Sequence, residues 1–238
     1  MVEEEGEEKK SQRLLSLAEQ LRLYGSSSSQ SQWNLTRTDT QLGGPPRAAV
    51  LVCVFEGKDG DLRILLTKRS SNLSSHAGDV AFPGGKRDAG DVDDVQTALR
   101  EAQEEIGLDP CLVDVVTVLQ PFYTKHGIVV VPVVGILYNR EAFCPALNPN
   151  EVESMFDVPL EMFLKKEKWR AEEREWMGES YLLHYFDYQY EAKQYVIWAL
   201  TAAISILAAS VVYERPPEFE LRKPRFWDRL LNGELPKQ

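Results

Sequence analysis

The chain has 238 residues, 43% of them hydrophobic, which is enough to bury one sizeable core and too apolar for a disordered protein. Its formal net charge of −10 excludes a nonspecific nucleic-acid binder, because phosphates call for a basic surface. Three cysteines, Cys53, Cys111 and Cys144, are odd in number and far apart, so they read as reduced thiols and not as a disulfide or zinc framework. The opening MVEEEGEEKK is too acidic for a transit peptide and has no apolar stretch for a signal peptide. The final Pro236-Lys237-Gln238 is not a peroxisomal address. The expected compartment is the cytoplasm.

Leu14, Leu17, Ala18 and Leu21 recur at helical spacing, which predicts an amphipathic helix over 11–24. GSSSSQSQ, from Gly25, follows as a flexible linker, and Pro45-Pro46 mark the entrance to the main domain. The expected division is therefore 1–44 (N-terminal helix and linker), 45–217 (main domain) and 218–238 (tail). Residues 48–55, AAVLVCVF, form a continuous apolar run and hence a strand buried on both faces. Lys58-Asp59-Gly60 carries a hairpin signal, and 62–67 is the returning strand. A polar loop at 70–79 precedes a short strand at 80–82 and then a glycine loop. Further strands are expected at 113–119 and 128–137, the second with Pro132 predicting a bulge or an edge position. Residues 151–164 read as a strand and a short helix set off by Pro159, 165–179 as an exposed charged stretch, and 181–188 with 195–198 as a hairpin. Residues 196–213 are uncharged and reach membrane-span length. Their Ala, Ser and Thr content and lack of flanking basic clusters predict instead a buried core helix and no membrane partner. Strands interleaved with long helices indicate an α/β sandwich.

The chemistry concentrates in residues 84–108, GGKRDAGDVDDVQTALREAQEEIGL. Gly84 and Gly85 relax the backbone into a loop. Asp91, Asp93 or Asp94 caps the helix that follows, where a negative charge suits the positive end. Val95, Ala98, Leu99, Ala102 and Ile106 form its apolar stripe, and Gly107 stands at the left-handed terminating position. Glu101, Glu104 and Glu105 share a face centred about 120° from that stripe, so the stripe can pack on a sheet while the acids look into a cleft. Like charges this close repel. A hard divalent cation relieves the repulsion, and magnesium takes carboxylates, waters and substrate phosphates. Arg100 adds a charge-assisted donor that can hold one of the glutamates. Taken alone, the acids would be an ordinary solvated helix face.

The whole run resembles the Nudix box, GX5EX7REUXEEXGU, where U is bulky and aliphatic. Arg100, Glu101, Glu104, Glu105, Gly107 and Leu108 match, and Ala102 is a smaller U. Counted from Gly85, the first spacer is one residue too long. Val92 falls at the register of the early Glu, and Asp91 or Asp93 takes its place. The resemblance implies the Nudix fold, a mixed-sheet α/β/α sandwich, here with an N-terminal helical extension. It also implies a pyrophosphohydrolase that uses Mg2+ or Mn2+, held by Glu101 and Glu105 with Glu104 in support. Glu104 is the expected water-activating base, with Arg100 beside it in the catalytic set.

Upstream, residues 65–85, LLTKRSSNLSSHAGDVAFPGG, resemble the signature of the coenzyme A diphosphatase branch, LLTXR[SA]X3RX3GX3FPGG. Leu65, Leu66, Thr67, Arg69, Ser70, Gly78, Phe82, Pro83, Gly84 and Gly85 match. Ser74 stands where the signature has a second Arg, leaving Lys68, His76 or Lys86 to compensate. The substrate contacts implied are Arg69, Ser70, Gly78, Phe82, Gly84, Gly85 and Lys86. Arg69 offers a bidentate clamp to a phosphate, and Gly78 lets the backbone approach closely. Phe82 either packs in the core or touches ligand. His76 reads as a loop residue, and Tyr185, Phe186 and Tyr188 as core. The implied reaction is water attack on the diphosphate of coenzyme A or an acyl-CoA, giving 3′,5′-ADP and 4′-phosphopantetheine. Two readings compete. A diphosphatase for ADP-ribose, NADH or another nucleoside diphosphate derivative is kept open by Ser74, and a binding module without turnover is opposed by the three retained acids. The expected partner is a small molecule, and the oligomeric state is left open.

Overall fold

The computed structural model describes residues 11–27, 45–176, 178–224 and 227. In order these form α1 (Gln12–Ser27), β1 (Arg47–Glu56), β2 (Leu62–Arg69), β3 (Val80–Ala81), β4 (Gly84–Lys86), α2 (Asp94–Ile106), β5 (Val113–Val118), β6 (Phe122–Tyr123), β7 (Val129–Leu137), β8 (Val152–Pro159), β9 (Trp169–Trp176), β10 (Glu179–Tyr190), β11 (Lys193–Trp198) and α3 (Ala199–Val212). Short 3-10 turns sit at Pro110–Leu112 and Leu160–Leu164.

β1 lies inside the main sheet because its residues are apolar on both sides. Ala49, Leu51, Cys53 and Phe55 face one core cluster, and Val52 and Val54 face the other. The strand order is β3-β2-β1-β7-β5, with β4 on β1, β6 on β7 and β8 on β2. β1 and β7 run parallel, whereas β2, β4 and β8 join by antiparallel pairs, so the sheet is mixed. Ala98, Ala102 and Ile106 of α2 cover the first face. Leu14, Leu17 and Leu21 of α1 and Ala202, Ile204 and Ala209 of α3 cover the second, which completes the α/β/α sandwich. A second sheet, β11-β10-β9, closes the far core with Phe186, whose ring meets Phe163 edge-on at 4.9 Å.

Several elements differ from expectation. α1 runs on through Gly25 to Ser27 instead of yielding to a linker at Gly25. Gly25 serves packing there, since an added Cβ would stand 2.6 Å from Thr117 Oγ1 on β5. Residues 28–44 of the expected linker lie outside the described residues. Pro132 is neither at an edge nor at the bulge, which falls on β5 between Val115 and Thr117. It sits on β7 where the β5 pairing has ended at Val133 and that of β6 has not yet begun at Val130. The charged stretch at 165–179 contains a strand, β9, which pairs with β10 along eight residues. Residues 196–198 belong to β11, so the apolar helix starts only at Ala199. No described helix is long and apolar enough to cross a membrane.

Candidate active site

The sequence places three aspartates at the start of α2, and each does a different job. Asp93 is the cap, accepting a hydrogen bond from the Gln96 N–H at 2.8 Å. Asp94 opens the first turn and pairs with Arg47. Asp91 is buried and accepts from Arg100 Nε and Nη2 at 3.0 and 2.9 Å, from Thr97 Oγ1 at 2.9 Å and from the Asp88 N–H at 2.9 Å. Of the two acids that could replace the early Glu, Asp91 is therefore the one that engages Arg100. Those hydrogen bonds from Arg100 hold its carboxyl down to about 2. At the other end Gly107 adopts φ 73 and donates to the Gln103 carbonyl at 2.9 Å, ending the helix.

The three glutamates do not share one environment. Glu105 has a side chain only 4% exposed and accepts from the Gly84 N–H at 3.1 Å. Burial pushes its carboxyl up to about 7, against the opposing pull of that N–H and of Arg69. Glu101 is also pushed up by burial, less the pull of Arg100. Glu104 turns outward, 54% exposed, and meets Arg100 Nη1 at 2.9 Å. Arg100 thus ties Asp91, Glu101 and Glu104 together and also donates to the Lys86 carbonyl at 3.2 Å. The expected common face of three acids becomes two inner carboxylates and one at the rim.

The glycine loop is a strand. β4 pairs with β1 at Gly84↔Val50 and Gly85↔Ala49, which brings its backbone against the inner acids. Gly84 has φ 153, and a Cβ there would stand 2.4 Å from the Ala49 carbonyl oxygen. A Cβ on Gly85 would stand 2.5 Å from the Glu101 carboxyl group.

Arg69 ends β2 where the register with β8 shifts. Its Nη1 lies 3.6 Å from Glu105 Oε1, and its Nε is buried without a hydrogen-bond partner among the described residues. Ser70 is buried and donates its N–H to the Glu151 carbonyl at 2.8 Å. Gly78 adopts φ 76 in a tight turn and donates to the Arg69 carbonyl at 3.2 Å, with open space where a Cβ would stand. Of the two readings of Phe82, its burial favours core packing. It is 3% exposed within the cluster on the face away from α2, so it packs in the core. The Lys86 side chain is exposed. Lys68 is engaged with Glu153 at 2.7 Å, and the exposed His76 meets Asp79 at 3.1 Å. Tyr185 and Phe186 are buried, as a core assignment requires.

One acid escaped the sequence reading. Glu151 precedes β8, and its charge raises the carboxyls of both Glu101 and Glu105. Its Oε1 accepts from Asn148 Nδ2 at 3.3 Å, and the Asn148 N–H donates to the Glu105 carbonyl at 2.9 Å, which ties this loop to the end of α2. The only signal at that point was the chain break at Asn148-Pro149-Asn150.

Among the described residues no three His, Cys, Asp or Glu side chains converge as a ready metal cage. The donor set nonetheless fits a small hard cation, which is usually held by one or two carboxylates together with waters and substrate phosphates. Two inner carboxylates whose pKa values are both raised by burial carry an electrostatic cost that such a cation offsets.

The chain matches the NUDIX domain family over residues 45–179. It is 64% identical over 182 residues to "Nudix hydrolase 15, mitochondrial" of Arabidopsis thaliana, a match covering 76% of this chain and 64% of that protein, so less than two thirds of that relative's length. It is 53% identical over 234 residues to "Nudix hydrolase 22, chloroplastic" of the same plant, covering 90% of this chain and 78% of that one. A third relative, "Peroxisomal coenzyme A diphosphatase NUDT7" of Mus musculus, is 38% identical over 166 residues, covering 69% and 70%. The two plant names overturn the expectation of a cytoplasmic compartment, which rested on the charge of a few terminal residues.

Proposed function

Because the chain belongs to the Nudix hydrolase family, we propose that its Glu101–Glu105 site hydrolyses the diphosphate of coenzyme A and its acyl esters, yielding 3′,5′-ADP and 4′-phosphopantetheine. The observation that carries this reading is Arg69. The LLTKR stretch ends in a partly exposed guanidinium, whose Nη1 lies 3.6 Å from Glu105 Oε1. A phosphate clamp therefore stands beside the inner acids, and the relative named as a coenzyme A diphosphatase supports the substrate class. The names of the plant relatives support an organelle as the compartment.

Mg2+ or Mn2+, held by Glu101 and Glu105, would polarise the phosphates and lower the pKa of the attacking water. Arg69 binds a non-bridging phosphate oxygen, for which a fixed fork is better suited than an ammonium. Arg100 orients Glu101 and Glu104 from its anchor on Asp91. Glu104, at the rim, is the proposed acceptor of the water's proton.

Losing one charged hydrogen-bond pair costs about 1.5–3 kcal/mol, or roughly 10- to 150-fold in rate. Arg69→Ala should lower kcat/KM for coenzyme A by that order, and Arg69→Lys should recover only part of it. Steady-state kinetics of the two variants decide the point, and wild-type values for Arg69→Ala would remove the clamp.

The two glycines should separate activity from stability. Gly85→Ala pushes only the flexible end of Glu101, so kcat should fall more than about tenfold while the melting temperature stays within about 3 °C. Gly84→Ala drives a Cβ into the backbone of β1 and should lower melting by far more. Equal effects on both properties in both variants would contradict this division.

A further inference from the structure

On the α2 side of the main sheet, three side chains end in buried polar atoms without a hydrogen-bond partner among the described residues: Arg47 Nη1, Arg87 Nη1 and Tyr123 Oη. The side chains of Arg47 and Arg87 are 4% and 6% exposed, and Tyr123 is 9% exposed. The sheet gathers them. The Arg87 N–H donates to the Arg47 carbonyl at 3.0 Å. Val129 on β7 pairs with Arg47 on one side and Tyr123 on the other. The charge of Arg47 also acts on the Tyr123 hydroxyl.

Both guanidiniums approach one carboxylate. Arg47 binds Asp94 through Nε and Nη2, and Arg87 Nη1 lies 3.9 Å from Asp94 Oδ1. Arg87 Nη2 is spent on the Val92 carbonyl at 2.7 Å. Asp91, the next acid along, is committed to Arg100. Among the described residues Asp94 is the only carboxylate paired with either guanidinium, so two buried cations share one anion and one positive charge is left over. A buried charge without compensation costs several kcal/mol, and unpaired buried donors add to that. A buried water would satisfy the donors, but it would not balance the charge.

We propose that Arg47, Arg87 and Tyr123 form a binding site for one compact anion, which accepts from both Nη1 groups and from the phenol. The site is separate from the acid pair. Gly85, against Glu101, and Arg87 are two residues apart on the chain, about 7 Å in an extended strand. The shared chemistry is a small acceptor of single negative charge or a single phosphate group, drawn either from solution or from a phosphate of a bound nucleotide. A chain that hydrolysed a different diphosphate would keep this site.

The test is calorimetric titration of the metal-free protein at constant ionic strength with sodium bromide, inorganic phosphate and 3′,5′-ADP in separate arms. Bromide-soaked crystals are then read by anomalous scattering. Saturable binding is expected in at least one arm. Tyr123→Phe, which removes only the hydroxyl, should weaken it about tenfold. Binding of bromide or phosphate identifies a free ion, and Tyr123-dependent binding of 3′,5′-ADP alone identifies a nucleotide phosphate. No saturable binding in any arm, or binding that Tyr123→Phe leaves unchanged, overturns the site and leaves a buried water in its place.

Discussion

Glu105→Gln should lower kcat by more than about 100-fold, since even the outer-shell partners of metal ligands are worth 10- to 100-fold, and it should do so without cost to the fold. The amide keeps the shape of the side chain and can still accept from the Gly84 N–H, which sits 3.1 Å from Glu105 Oε2. What it removes is the charge that a divalent cation needs. Burial already holds the Glu105 carboxyl up to about 7, so in the metal-free protein a neutral side chain suits this position better than an ionised one. The variant should therefore melt at or above the wild-type temperature when metal is withheld. Turnover with Mg2+ and with Mn2+, measured beside the melting curves, checks both halves. Turnover close to wild type would remove Glu105 from the metal site.

The largest loss of stability is expected at Asp91. Its carboxylate is 3% exposed and takes two hydrogen bonds from Arg100, one from Thr97 and one from the Asp88 N–H. Asp91→Asn leaves Arg100 half-buried without its main partner, and breaking such a pair costs about 3 kcal/mol. The pH dependence has a definite sign. Arg100 lowers the folded pKa from 3.8 to about 2, so the stabilisation is present in full above the unfolded value and is lost as pH falls through the folded one. Wild type and variant should differ most near neutrality and converge as the pH is lowered toward about 2. Urea denaturation at neutral pH gives the magnitude, and thermal melts on the way down in pH give the convergence. Equal stability at neutral pH would contradict the anchoring role of Asp91.

The sequence made α2 legible because its apolar stripe and its terminating Gly107 are local signals. The splitting of the acids was also within reach of the same geometry. At about 100° per residue, Glu105 lies roughly 60° from the centre of the Ala98–Ala102–Ile106 stripe and Glu104 roughly 160°. Treating the three acids as one averaged face concealed that one is pulled inward and another pushed out. Glu151 was illegible for a different reason, since it reaches the inner acids through tertiary contacts, the pairing of β8 with β2 and the hydrogen bond from Asn148 to the end of α2. β9 was missed because its charged residues lie on both faces of an exposed strand, which leaves no apolar alternation to read. Pro132 misled because the gap between β5 and β6 that accommodates it is made by strand pairing, not by its neighbours in the chain. The choice between packing and ligand contact at Phe82 likewise depended on which face of the sheet it joined.

The most direct measurement is a substrate panel on the purified protein. Coenzyme A, an acyl-CoA, ADP-ribose and NADH are each incubated with Mg2+ and with Mn2+, and the products are resolved by mass. The highest kcat/KM is predicted for the coenzyme A compounds, with 3′,5′-ADP and 4′-phosphopantetheine or its acyl form as the products. A higher kcat/KM for ADP-ribose or NADH would contradict the assignment of the Arg69–Glu105 site to coenzyme A.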